Sequence, residues 1–286
     1  MKPRRVMLAV LAHPDDETFG IGGTLALYAK RGVDVYLICA TRGEAGMVQE
    51  DHLEGYTSIA ELRENELRCA AQMLGIRGVF FLDYRDSGMP NSVDNRHLQA
   101  LINAPVQEVI GKIVTHIRKL KPQVVITFDS IGVYSHPDHI YIHHATRKAF
   151  YLASEPTFEC QGLSAYQPQK LYYYTISKIV MRLLVRLMPL FGKDPTKYGR
   201  NGDINLTELL KDNYPVNARI DYREVSKIRS AASFCYVSQG GRQQYQGAAG
   251  LLRGWASTKE VFIRGYPDPE QGHIEHDLFE NVNIYI

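Results

Sequence analysis

Short runs of branched apolar residues alternate with helix-period stretches through the first 150 residues, and this alternation restricts the fold more than any other feature of the chain. It is the pattern of consecutive β-α-β units, and it excludes a helical bundle or a sandwich of hairpins. The first strand reads from Val6 to Ala12, and a helix opened by Gly22 and Gly23 runs through Arg31 to a stop at Gly32. Val33 to Ala40 reads as a second strand, rich in branched residues. Ser58 and Glu61 form a capping box that starts a helix reaching Leu74, where Gly75 ends it. A third strand at Val79 to Leu82 precedes a helix from Val106 to Leu120, whose Val109, Ile110, Ile113, Ile117 and Leu120 share one apolar face. Pro122 leads into a fourth strand, Val124 to Phe128, and a helix is expected over about Ile140 to Leu152. The second half is less regular, with a strand at Leu171 to Thr175, a helix near Tyr222 to Phe234 and a late strand at Val261 to Arg264. The expectation is one α/β domain over residues 1–286, built on a mainly parallel central sheet.

The 33 basic and 31 acidic side chains nearly cancel, so the balance calls for neither nucleic acid nor an acidic partner. Cys39, Cys69, Cys160 and Cys235 are widely spaced without a C-x-x-C pair, which predicts reduced thiols buried as small apolar residues in a cytoplasmic protein. The basic start, Lys2 to Arg5, runs straight into the first strand rather than into a cleavage pattern. No stretch of about 18 apolar residues is present to cross a bilayer as a helix.

In a doubly wound sheet, ligands bind beyond the carboxyl ends of the strands. Two such ends carry chemistry here: Ala12-His13-Pro14-Asp15-Asp16-Glu17 follows the first strand, and Ser135-His136-Pro137-Asp138-His139 follows the fourth. Imidazole with carboxylate is a donor mixture suited to a divalent ion such as zinc. Taken alone, Asp15, Asp16 and Glu17 are also what the dipole favours at a helix start; two clusters together point to a cation site. His143 and His144 fall inside the following helix and read as ordinary helix residues. The run Gly20-Ile21-Gly22-Gly23 has Leu25 where a dinucleotide fingerprint wants its third glycine, which disfavours a dinucleotide-dependent oxidoreductase and leaves close packing as the reason for the glycines.

These two motifs resemble those of the LmbE-like, or PIG-L-type, de-N-acetylase family. Thr41-Arg42-Gly43-Glu44, Arg63 with Glu66, and Tyr84-Arg85-Asp86-Ser87-Gly88-Met89 extend the likeness over residues 5 to 150. The resemblance implies a Rossmann-like three-layer fold and a metal-dependent hydrolase, acting on a small N-acetylated substrate such as an N-acetylglucosaminyl compound and releasing acetate and a free amine. By the same resemblance His13, Asp16 and His139 would hold the metal, Zn2+ or another divalent ion such as Fe2+. Asp15 would be the general base, a protonated His136 paired with Asp138 would stabilise the oxyanion and protonate the amine, and Tyr134 would donate its hydroxyl to the oxyanion. Glu44, Arg63 and Asp86 would grip the substrate. Without the likeness, Arg63 reads as half of a surface pair with Glu66. The same core chemistry serves a non-sugar amide of secondary metabolism, and a metal-binding module without turnover is the remaining alternative. Where relatives often carry a histidine two positions before a late Ser-Gln pair, this chain has Tyr236 before Ser238-Gln239.

The stretch Ser177 to Lys193 is mostly apolar, with Lys178, Arg182 and Arg186 recurring every four residues. Three readings stand open for it: a helix packed against a second subunit in a homo-oligomer, a lid over the site mouth, or a helix lying on a membrane surface.

Overall fold

The computed structural model describes residues 4–198, 202, 205–210, 214–242 and 258–284. In chain order the strands are β1 (Val6–Leu11), β2 (Asp34–Thr41), β3 (Gly78–Tyr84), β4 (Val124–Phe128), β5 (Lys170–Thr175), β6 (Ala218–Asp221) and β7 (Lys259–Tyr266). The helices are α1 (Asp16–Lys30), α2 (Ile59–Leu74), α3 (Val106–Leu120), the single turn α4 (Gly132–Ser135), α5 (Pro137–Leu152), α6 (Lys178–Leu187) and α7 (Ser226–Ser233). The strands form one sheet in the order β3-β2-β1-β4-β5-β7-β6, parallel from β3 to β5 and antiparallel at β7 and β6. Every residue of β1 and β4 is buried, as expected of parallel strands covered on both faces. Helices α1, α2 and α7 pack together as one layer, and α3 and α5 as the other. The mainly parallel three-layer sheet expected from the sequence is therefore present, and the less regular second half extends it with β5, β7 and β6.

The apolar periodicity marks α3 and β4 to the residue, because both are bounded by strong signals: five apolar positions on one face of α3, and Pro122 ahead of β4. The Ser58 hydroxyl accepts the Glu61 amide and Gly75 ends α2 in the left-handed region, as the capping box requires. Two helix starts differ from expectation. Helix α1 opens at Asp16 rather than at Gly22, since Asp16 and Glu17 favour its first turn and the glycines lie inside it. Ile21 is non-helical there (φ −132°), and this kink frees the Gly23 and Thr24 amides, which donate to the Glu260 carboxylate at 3.0 and 2.7 Å. Gly23 is required because the Tyr222 ring occupies the space a Cβ would fill. Helix α5 begins at Pro137, not near Ile140, with His136 as its cap, so proline at the first position starts this helix rather than delaying it. The four-residue β6 is an addition to the expected elements, because it is too short to show an alternation in sequence.

The prediction of four reduced cysteines is corrected by a disulfide between Cys69 of α2 and Cys235, just after α7, separated by 166 residues. Nothing in the spacing could reveal a pairing made by two helices meeting in space. Cys39 and Cys160 are free and buried, as expected of small core residues. A thiol titration of the unfolded, unreduced protein should therefore detect two thiols and, after reduction, all four cysteines. Ser58→Ala should lower stability by about 1 kcal/mol in urea unfolding, through loss of the cap.

Candidate active site

Strand β1 has β2 on one side and β4 on the other, so the strand order reverses between β1 and β4 and leaves a crevice beyond their carboxyl ends. The two motifs foreseen from the sequence leave these two strands. His13 and Asp16 come from the turn after β1, and His136, Asp138 and His139 from the start of α5. All five are buried.

His13 Nδ1 and His139 Nε2 lie 3.2 Å apart, and Asp16 reaches both, Oδ1 at 3.2 Å from His139 and Oδ2 at 3.5 Å from His13. The protons on these rings can be assigned from their other contacts. His139 Nδ1 is 3.2 Å from the Gly132 carbonyl, and His13 Nε2 is 3.0 Å from Asp138 Oδ2, so each ring donates outward. With both rings neutral, two imidazole lone pairs and a carboxylate converge at the centre; burial acts against a charge on His13, but Asp86, Asp138 and Asp16 raise it well above the usual imidazole range, so the cluster draws positive charge, a proton or a cation. Its donor set fits zinc or ferrous iron. A ring nitrogen of His136 also lies within 4.8 Å of the His13 and His139 nitrogens. Its Nδ1 accepts the Asp138 amide at 3.2 Å, which puts the proton of the neutral ring on Nε2 and makes that nitrogen a donor rather than a ligand. Burial, with His13 and His139 nearby, holds His136 well below the usual imidazole range.

Asp138 does not face His136, as the sequence reading had it. Its carboxylate accepts from His13 and from the Ser87 amide at 2.9 Å, because the first turn of α5 directs it across the crevice. The protonated His136 paired with Asp138 is replaced by a carboxylate behind His13, an arrangement that orients a metal-ligating ring. His139 is stacked on Phe128 with ring centroids 3.9 Å apart, and the edge of Tyr134 meets it at 4.9 Å.

Asp15 sits beside this cluster at φ 110°, ψ −28°, a strained backbone for any residue with a side chain. Arg63 holds it there. The guanidinium donates to Asp15 Oδ2 at 2.9 Å, to the Pro14 carbonyl and to the Gly43 carbonyl at 2.9 Å. Gly43 is at φ 70°, and a Cβ on it would run into that guanidinium. Burial pushes the Asp15 carboxyl up to about 7, against the lowering pull of Arg63 and with Asp16 adding to the rise.

The three residues expected to grip substrate are engaged with the protein instead. Arg63 is buried and spends its donors on the Pro14-Asp15 turn and Gly43. The Glu44 carboxylate accepts the Asp86 amide at 3.0 Å. Asp86 Oδ1 accepts the Gly88 amide at 2.8 Å and lies 3.4 Å from His13 Nε2. Burial acts against the Asp86 charge, but His13 holds this carboxyl far below the usual range. The surface pair of Arg63 with Glu66 is also corrected: both are buried, and the Glu66 carboxylate accepts the Ser238 amide and hydroxyl, each at 2.7 Å. His143 Nδ1 lies 2.8 Å from the Phe128 carbonyl, turned away from the cluster.

Sequence reasoning missed Glu17 as part of this site. It is wholly buried, accepts from the Asp15 amide at 3.1 Å and from the Tyr236 hydroxyl at 2.7 Å, and burial raises it to about 7. A glutamate following two aspartates at a helix start carries no mark of this, since its partner lies 219 residues away. Tyr236 is itself fully buried and serves as that partner.

Crevice, carboxylate-imidazole cluster and flanking aspartate define an α/β protein equipped to hold a cation beside an acid-base group. The chain belongs to the PIG-L family of GlcNAc-PI de-N-acetylases, whose profile matches residues 8–150. A 1D-myo-inositol 2-acetamido-2-deoxy-alpha-D-glucopyranoside deacetylase of Catenulispora acidiphila is 32% identical over 315 residues, covering 96% of this chain and 86% of that protein. One of Geodermatophilus obscurus is 32% identical over 248 residues, covering 84% of each. The fold is shared with a conserved protein of Thermus thermophilus, at a TM-score of 0.60 and 21% identity over 92% of this chain and 96% of that one.

Tyr236→Phe should lower stability by about 1–2 kcal/mol in urea unfolding, by removing a donor from the buried Glu17 carboxylate. An unchanged midpoint would show that this bond contributes nothing net.

Proposed function

We propose that this protein is a metal-dependent N-deacetylase that removes acetyl from an N-acetylglucosaminyl small molecule, releasing acetate and a free amine. The observation that carries the reading is the convergence of His13 Nδ1, His139 Nε2 and Asp16 on one point, with Asp15 beside it. The deacetylases of two other species, aligned over most of this chain, support the sugar amide as substrate.

His13, Asp16 and His139 would hold Zn2+ or another divalent ion such as Fe2+, leaving coordination positions open. When bound, the ion supplies Lewis acidity, which polarises the acetyl carbonyl and makes water a better nucleophile near neutral pH. Asp15 accepts the proton of the attacking water, while Arg63 fixes the direction of its carboxylate. The water oxygen joins the acetyl carbon, the C–N bond breaks, and Asp15 returns the proton to the departing amine. His136 presents its Nε2 proton to the oxyanion, with the Tyr134 hydroxyl as a second donor. Asp138 keeps His13 in the tautomer that leaves Nδ1 available. Arg63, Glu44 and Asp86 act on this reading as supports of the turn and of His13 rather than as substrate contacts.

Metal analysis combined with acetate release from N-acetylglucosaminyl-inositol, free N-acetylglucosamine and a non-sugar acetamide tests the proposal. Asp15→Asn should keep its metal and lose about 10²–10⁴-fold in kcat; full turnover in that variant would remove Asp15 as base. Asp138→Asn should weaken metal affinity about 10–100-fold. Turnover confined to the non-sugar acetamide would transfer the activity to the alternative substrate class, and a metal-loaded protein inert on all three would overturn it.

A further inference from the structure

The helix α6 and the 3-10 turn after it, Met188–Phe191, take no part in the chemistry above. One side of this element is packed: Met181 and Met188 are buried with Leu206 and Leu209, and Ile131, Val185 and the active-site Tyr134 lie against them. The other side is exposed, Leu183 by 58%, Leu187 by 39%, and Leu190 and Phe191 by 77% each. Arg182, Arg186 and Lys193 are exposed among them. Residues 178–193 hold four cations and no acid.

We propose that this face docks on an anionic lipid surface, with Leu190 and Phe191 entering the acyl boundary and Arg186 and Lys193 at the level of the lipid phosphates. Large apolar side chains interleaved with cations match that boundary, because long basic side chains reach the phosphates while their stems stay among apolar groups. A second copy of the chain docking through the same patch about a two-fold axis would set cations against cations. The position of the patch agrees. Strands β3, β2, β1, β4 and β5 are parallel, so the loop after β3 and the α6 element after β5 leave the same edge of the sheet as the metal cluster. That β3 loop also exposes Val93 by 83% and Leu98 by 92%. Docking would therefore turn the crevice toward the headgroup layer, and the docking itself does not depend on which amide is cleaved.

Co-sedimentation of the whole protein with vesicles of phosphatidylcholine alone, or of phosphatidylcholine with phosphatidylglycerol, tests this. The partition coefficient should be at least about tenfold higher on the anionic vesicles and should fall in about 0.5 M NaCl, where surface charges are screened. Arg186→Gln and Lys193→Gln should each lower it about fivefold. Leu190→Ser with Phe191→Ser should lower it at least about tenfold, with an unchanged circular dichroism melt. Absence of binding, equal binding to both vesicles, or a dimer in sedimentation equilibrium that the Leu190 and Phe191 substitutions dissolve would overturn the proposal, the last by assigning the face to a second copy.

Discussion

Two imidazoles and a carboxylate converge on one buried point, and much of the surrounding structure fixes which of their atoms face it. Gly132 takes the outward proton of His139, and Asp138 that of His13. Asp129 braces the turn that presents His139, accepting the Val133 amide at 2.8 Å and the Thr175 hydroxyl at 2.7 Å. Repulsion between converging acceptors inside a buried crevice is costly without a cation, so the tautomers and the turn must be fixed from outside the cluster.

The same logic extends to Asp15. Its backbone conformation is unfavourable by itself, and it persists because Arg63, itself anchored on the Gly43 carbonyl, and Glu17 hold it from two sides. Arg63 comes from α2, and Tyr236, which donates to Glu17, comes from the segment after α7. The disulfide between Cys69 and Cys235 ties these two supports together, as do the bonds from Ser238 to Glu66. The second half of the chain, though irregular, thus reaches the first motif through Tyr236 and the α1 kink through Glu260.

Much of the parallel sheet was legible because a buried parallel strand is a continuous apolar run and an amphipathic helix repeats at 3.6 residues. Strand β4, α3 and the cap of α2 came out with their boundaries for that reason. Helix α1 did not, since its glycines look like a start until Tyr222 is seen filling the space beside Gly23. The membership of His13, Asp15, Asp16, His136, Asp138 and His139 in one crevice was legible from their place after β1 and β4. Their partners were not. Arg63 and Asp86 look like substrate contacts in the sequence and are turned inward in the structure, because a charged side chain gives no sign of whether its mate is water, ligand or protein.

By itself the sequence determined the elements that local periodicity and caps specify, and the residue types available at the ends of β1 and β4. Tertiary structure alone decided which atom faces which: Asp138 on His13 instead of His136, Arg63 on Asp15, Tyr236 on Glu17, Cys69 on Cys235. These pairs are 125, 48, 219 and 166 residues apart, so no local rule connects their members. They form where packing of the layers brings side chains together and burial favours polar atoms that find a partner.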